Sequence, residues 1–432
     1  MNVLSAPIPI SRSQPAVEVA EQRMQDDDGA NVLSVVIPAY NEEGGIAEII
    51  ERVLTISPAL AKVGVDDLEL IVVDDGSDDR TAEIVAGYPQ VRLIRQPVNR
   101  GYGAALKTGF SVARGNLLGF LDADGTYPPE HFPALCQTAL EEKADLVIGS
   151  RMAGTESEMP LVRRVGNFIF ANLVSLLGRR RVSDSSSGMR IIRRECLRRL
   201  YPLPDGLNFT PVMSTRALHE QIHWVEVPIP YKERVGRSKL SVVHDGMRFF
   251  YTIIWTALNY NPVRILGGAG LGLIGIAALI GVLILSMRLG GVRQLGPWGV
   301  TSLFVAGLCL YAGVTLFSLG ATFNYLVSLF HREPIRQGLF DKPLFRRPLE
   351  RHFGWMGVVA MLAGGAVGAV SLVLSFRGWS IERLWFWLLD GTVLMLVGLQ
   401  LAIFWLIMQV LNELQARDAR AALDMDGGEC QA

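Results

Sequence analysis

Gly119-Phe-Leu-Asp-Ala-Asp-Gly-Thr-Tyr-Pro-Pro-Glu130 is the stretch on which the reading of this chain turns. The apolar run over residues 116–121 predicts a buried parallel strand. It stops at Asp122 and Asp124, which face the same way if the backbone stays extended. Carboxylates at a strand's carboxyl end stand where open α/β sheets bind ligands. Such a pair can share one hard divalent cation, Mg²⁺ or Mn²⁺, whose remaining coordination is filled by phosphate oxygens and water. The implied ligand is a metal-bound diphosphate; the plainer alternative is an Asp-rich turn closed by Gly125 and Pro128-Pro129.

On either side of this stretch the same arrangement recurs. A β-branched run over residues 32–38 ends in Tyr40-Asn41-Glu42 and is followed by a helical pattern through Ile46, Ile49, Ile50, Val53 and Leu54. A strand over 68–73 ends in Asp74-Asp75-Gly76-Ser77, and one over 91–95 leads to the glycine-rich Asn99-Arg-Gly-Tyr-Gly-Ala-Ala-Leu-Lys-Thr-Gly109. A further strand over 144–148 ends in Gly149-Ser150-Arg151. This βαβα order predicts a Rossmann-like, mainly parallel sheet, and polar loops at successive strand ends describe one pocket. Neither a P-loop nor a Gly-x-Gly-x-x-Gly after the first strand occurs, which argues against ATPase or dehydrogenase binding modes.

In that order and at similar spacing, VVIPAYNEE, VVDDGSDDRT, NRGYGAALKTGF, LDADGTYPPE and GSR resemble the motifs of family 2 glycosyltransferases, over roughly residues 32–151. Ser183-Asp184-Ser-Ser-Ser-Gly-Met-Arg190 and Tyr231-Lys-Glu-Arg-Val-Gly-Arg-Ser-Lys-Leu240 are similar to signatures of dolichol-phosphate mannose synthase and its bacterial polyprenol-phosphate relatives. The resemblance implies a GT-A-type α/β domain that inverts the anomeric carbon. It implies a nucleotide-sugar donor bound by Pro38, Tyr40, Glu42, Asp75, Lys107 and Asp122. Asp122 and Asp124 hold Mg²⁺ or Mn²⁺, and Asp184, Arg234 and Lys239 join them in catalysis. Arg151, Arg163, Arg190 and Ser238 meet the phosphate of a polyprenyl phosphate acceptor. The chain departs from the family at Gly125-Thr126, where a Gln near the metal is usual; a water or the Thr126 hydroxyl takes its place. Met189 stands for the usual Phe.

Charge is balanced, 41 Lys+Arg against 42 Asp+Glu, so bulk nucleic-acid binding is not expected. Hydrophobic residues make up 50% of the chain and concentrate after residue 262. Four spans, 265–287, 299–325, 354–376 and 384–411, are long enough for a hydrocarbon core of about 30 Å. These patterns divide the chain into a disordered tail (1–30), the glycosyltransferase domain (31–240), a juxtamembrane amphipathic helix (241–262), an all-α four-helix membrane domain (263–411) and a cytoplasmic tail (412–432). Residues 1–30 lack a signal-peptide core, and residues 332–351 carry six Lys/Arg against two in each neighbouring loop. By the positive-inside rule the catalytic domain is cytoplasmic, on a multi-pass protein of the cell (inner) membrane.

Residues 161–177 read either as a core helix or as one lying in the membrane interface. Gly268/Gly272 and Gly364/Gly368 form small faces for helix packing within one chain or in a homo-oligomer. Asp390, near the outer end of its span, reads as reaching interfacial water rather than serving a proton path. The four cysteines are widely spaced and read as ordinary thiols of a reducing compartment.

The expected function is sugar transfer from a nucleotide diphosphate to a polyprenyl phosphate. The acceptor phosphate needs cations and orientation rather than a strong base, for which Arg151, Arg163, Arg190, Arg234 and Lys239 are the candidates; the alternative is that some of them only meet lipid headgroups. The rivals are a processive polysaccharide synthase, whose Gln-x-x-Arg-Trp signature is not found, and a non-catalytic sugar-lipid carrier subunit.

Overall fold

The computed structural model describes residues 30–153, 159–178, 180–220, 222–231, 242–291, 296–331 and 352–426. The expected N-terminal tail, the loop bearing Arg234, Ser238 and Lys239, and the basic segment 332–351 lie outside the described residues. Two compact units are present, Met1–Phe250 and Tyr251–Ala432.

In the first unit β1 (Val32–Ala39), α1 (Ile46–Thr55), α2 (Ser57–Ala61), β2 (Asp67–Asp74), α3 (Thr81–Ala86), β3 (Val91–Arg95), α4 (Tyr102–Val112) and β4 (Leu117–Phe120) follow one another. Then come α5 (Phe132–Glu141), β5 (Leu146–Ser150), α6 (Leu161–Gly178), β6 (Arg190–Arg193), α7 (Arg194–Leu200), α8 (Phe209–His219), β7 (Trp224–Pro228) and α9 (Val242–Tyr260). The seven strands form one sheet in the order β3-β2-β1-β4-β6-β5-β7. All pairs are parallel except those of β6, which runs antiparallel between β4 and β5. This is the GT-A-type, mostly parallel sheet.

The strands are apolar on both faces because helices cover both: β1 is buried from Leu33 to Ala39 and β4 throughout. Ile46, Ile49, Ile50 and Val53 form the single buried stripe that docks α1. The sequence reading lacked the edge strand β7 and also the antiparallel β6. Its Arg190-Ile-Ile-Arg193 is too short a run to show a period.

α6 answers both readings of residues 161–177 at once. Asn167, Ala171, Val174 and Leu177 are buried against the unit, whereas Leu161, Val162, Val165, Phe168, Ile169 and Leu176 are exposed. By length and composition it is one of five helices that could cross a membrane, against four spans expected. Its Asn167, buried and bonded to Asp184 and Ser186, ties it to the first unit.

The other four candidates make the second unit a membrane domain: α10 (Gly268–Leu289), entered through a π turn at Val263–Gly267, then α11 (Pro297–His331), α12 (Phe353–Phe376) and α13 (Ile381–Asp426). They form two hairpins crossed glycine on glycine. A Cβ on Gly270 would lie 2.5 Å from the Gly313 carbonyl oxygen, and one on Gly357 2.7 Å from that of Gly398. Of the expected small-residue faces, Gly364 packs within the chain, on Gly391, while Gly272 and Gly368 meet nothing within 4 Å in this single chain.

The two hairpins carry a sparse sequence repeat. Arg264/Arg351, Gly267/Gly354, Gly270/Gly357, Gly281/Gly368, Gly291/Gly378 and Trp298/Trp385 are each separated by 87 residues. Gly291 and Gly378 both take positive φ, 95° and 88°. Farther along the second helix of each hairpin, past Trp298 and Trp385, contacts match at an offset of 85: Gly270 on Gly313 matches Gly357 on Gly398, and Gly267 on Gly320 matches Gly354 on Trp405. Thr315 and Gln400 share that offset, and the Gln400 amide donates to the Thr315 hydroxyl at 2.6 Å.

Candidate active site

A cavity of about 540 Å³ opens at the carboxyl ends of the parallel strands, within the size range of small-ligand sites. At its first end stand Pro38, Ala39, Tyr40 and Glu42 from the loop after β1, Asp75 from the loop after β2, and Asn99 and Gly101 before α4. These loops are laced together. Asn41, held at φ 51°, receives the Asp78 N–H on its side-chain oxygen at 2.9 Å, and its own N–H donates to Ser77 Oγ at 2.9 Å. Asp75 accepts from the N–H groups of Arg100 and Gly101, both at 2.8 Å. Gly76, at φ 72°, is required there because a Cβ would lie 2.7 Å from the Val98 backbone.

Asp122 and Asp124 line the centre. The strand does not continue as assumed: β4 ends at Phe120 and a turn begins at Ala123, yet both carboxylates reach the cavity. Thr126 fixes Asp124, its Oγ1 donating at 2.6 Å and its N–H at 3.2 Å. Tyr102 Oη donates to Asp122 Oδ1 at 2.8 Å. Burial first, and then the Asp122 charge, raise the Tyr102 pKa well above its ordinary value, so the phenol remains a donor. Asp122 also lies against the bare Cα of Gly188, where a Cβ would be 2.6 Å from Oδ2. Two carboxylates with no nitrogen or sulfur donor suit a hard cation that completes its coordination with phosphate and water. Among the described residues no group of three or more His, Cys, Asp or Glu could hold a metal by itself.

Beyond the carboxylates the charge reverses. Arg151, the residue after β5, donates from Nε and Nη2 to the two Asp184 oxygens at 2.7 and 2.9 Å. Its guanidinium lies 5.7 Å from the Tyr127 ring centroid and 5.5 Å from that of Tyr231. Tyr127 also accepts the Gly188 N–H at 2.7 Å, which links the Asp122 wall to the Arg151 wall. Arg163 follows on α6, 3.4 Å from the Tyr231 hydroxyl. Burial alone would raise the Asp184 pKa, but the Arg151 charge and the hydrogen bonds from Arg151 and Asn167 outweigh it and hold the carboxyl below its ordinary value. The remaining wall is mostly apolar, with Met159, Val162, Gly166, Phe170, Leu207 and Phe249.

Three expected site residues lie elsewhere. Lys107 bonds the Leu203 carbonyl at 3.0 Å and Asp205 at 2.5 Å, and so braces the loop before α8. Asp184 is fully buried behind Arg151, where it holds that guanidinium instead of facing a reactant. Arg190 is fully buried and donates to the carbonyls of Ser187 and Ser185; desolvation pushes its pKa down to about 10, which leaves it charged at neutral pH. Conversely Tyr102, Tyr127, Tyr231, Asn167 and Gly188 were not assigned from sequence. Tyr102, Tyr127, Tyr231 and Gly188 fall inside motifs quoted above, which was the available signal.

Residues 34–201 match the profile of glycosyl transferase family 2. Residues 262–422 match one described only as a domain of unknown function. The low-salt glycan biosynthesis hexosyltransferase Agl6 of Haloferax volcanii is 32% identical over 80% of this chain and 80% of its own length. The chain belongs to glycosyl transferase family 2. This glycosyltransferase is also 30% identical to the undecaprenyl-phosphate 4-deoxy-4-formamido-L-arabinose transferase of Photorhabdus laumondii, over 69% of this chain and 90% of that one. A dolichyl-phosphate hexose transferase of Haloferax volcanii is 33% identical over 52% of this chain and 94% of its own length. With these relatives the glycosyltransferase falls in the polyprenol-phosphate subfamily. Among solved structures, glucosyl-3-phosphoglycerate synthase from Mycobacterium tuberculosis aligns at a TM-score of 0.44 and 22% identity, over 53% of this chain and 79% of that one.

Proposed function

We propose that this enzyme moves a sugar from a nucleotide-diphosphate sugar to a polyprenyl phosphate at the cytoplasmic face of the cell membrane. The observation that carries the reading is the set of surfaces lining one cavity: the carboxylates Asp122 and Asp124, the guanidiniums Arg151 and Arg163, and an apolar wall. A diphosphate, a phosphate and a hydrocarbon chain need those three surfaces. Relatives named for undecaprenyl-phosphate and dolichyl-phosphate fit an acceptor of this class.

Asp122 and Asp124 would hold Mg²⁺ or Mn²⁺, which when bound neutralises charge on the departing diphosphate. Pro38, Tyr40, Glu42 and Asp75 cradle the nucleotide. Arg151, held flat by Asp184 and two tyrosines, and Arg163 orient the acceptor phosphate. That phosphate is largely ionised at neutral pH, its second pKa being about 6. Its oxygen bonds to the anomeric carbon as the bond to the nucleoside diphosphate breaks, and the electron pair leaves with the diphosphate. The configuration inverts, and no side chain need take a proton. This removes the need for Asp184 as a base. Arg234, Ser238 and Lys239 add to the acceptor phosphate site from their loop.

Purified protein incubated with a panel of nucleotide sugars, divalent metal and undecaprenyl phosphate should yield a lipid-linked monosaccharide. A lengthening water-soluble polymer would favour the synthase reading, and absence of any product the carrier reading. For the orientation, Gln337→Cys should react with an impermeant thiol reagent only after cells are opened; labelling of intact cells overturns it.

A further inference from the structure

Two glycines lie inside helices on the apolar wall of the cavity, Gly166 in α6 and Gly246 in α9. Glycine weakens a helix, so an interior one invites a reason. At Gly270 and Gly357 of the membrane hairpins the reason is backbone contact. Here that reason fails. A Cβ on Gly166 would meet nothing within 4 Å, and one on Gly246 would meet only Phe170, at 3.9 Å.

What the two positions share is the cavity. Val162, Gly166 and Phe170 follow one another at intervals of four residues, a single line on α6, so Gly166 is a notch between two bulky side chains. Gly246 and Phe249 line the same end from α9, and Phe249 meets Phe170 edge to face at 6.0 Å. Arg163 precedes Gly166 by three residues, about 4.5 Å along the helix axis and about the length of one isoprene unit.

We propose that Gly166 and Gly246 are specificity-determining residues: they keep open the passage taken by the first, methyl-branched isoprene unit of the acceptor while its phosphate lies at Arg151 and Arg163. This rests on the acceptor reading given above. The branch methyl and the flat double bond find an apolar notch flanked by Val162 and two phenyl rings, and side chains at either glycine would fill it.

The test compares full-length parent, Gly166→Ala, Gly166→Leu and Gly246→Leu for transfer to undecaprenyl phosphate, nucleotide binding by titration, and thermal unfolding. Transfer by either Leu variant should fall by about 30-fold or more, and by Gly166→Ala by less than about 3-fold, because a steric block scales with what is inserted. Nucleotide binding should be unchanged. Unfolding should occur at the same or a higher temperature, since leucine favours helix. Parent-like transfer by both Leu variants overturns the proposal. So does a loss accompanied by weaker nucleotide binding or a lowered unfolding temperature, which would make the glycines structural. Failure of the parent itself to use undecaprenyl phosphate overturns the acceptor reading, and is seen before any variant is compared.

Discussion

Where Asp75 and Asp124 line the cavity the charged groups are acids fixed by main-chain N–H groups and hydroxyls; at Arg151 the charge is a guanidinium fixed by one buried carboxylate and two aromatic rings. Asp75 and Asp124 take their positions from bonds within and between loops. Arg151 takes its position from Asp184, Tyr127 and Tyr231, which come from three separate parts of the chain. The acids repel a diphosphate unless a cation intervenes, whereas the guanidiniums meet a phosphate directly. One end is therefore conditional on metal and the other is not.

That contrast can be broken most severely at Asp124. Asp124→Asn should lower transfer by about 10³-fold or more, since it removes a charge from the metal site. Its fold should persist, because the amide oxygen can still accept from Thr126. Full activity with unchanged metal dependence would refute the metal assignment.

Arg151→Lys is the matching change at the other end, with an expected loss of about 10²-fold, because an ammonium cannot form the bidentate pair with Asp184 or lie flat between the rings. Nucleotide and metal binding should stay as in the parent; if they weaken equally, the two ends are not separate. Gly188→Ala sits where the ends join. Its Cβ would press on Asp122, so Mn²⁺ affinity measured with nucleotide present should weaken by about tenfold. An unchanged affinity would show that Asp122 can yield.

The smallest effect is on pH. Asp184 has its folded pKa below the ordinary 3.8, so its contribution to stability is complete above that value and is lost as pH falls through the folded pKa. As pH falls from 5 to 3 the stability of the parent relative to Asp184→Asn should drop. A difference that grows on acidification would contradict the ion pair.

The strand ends were legible because each is an apolar run that stops at a polar, glycine-containing loop, a signal contained in a few neighbouring residues. Lys107, Asp184 and Arg190 were not, because sequence shows that a residue is charged but not what lies opposite it. Arg190 sits on a strand inserted between β4 and β5, and its partners are carbonyls, which leave no trace in composition. The crossing within the first hairpin was not legible for a related reason. Which face of α10 meets α11 depends on the phase of both helices, and Gly270 is the contact within the chain. Residues 161–177 are apolar on much of the helix circumference, and only packing says which part is covered.

The repeated hairpin has a consequence for sidedness. A unit that enters a bilayer and returns begins and ends on the same face, so copying it in tandem changes the number of crossings by two and the parity not at all. Whatever precedes it keeps its compartment. The membrane half could thus double in a single genetic event without moving the site where sugar is transferred, whereas gaining one helix alone would have sent the new terminus to the opposite side.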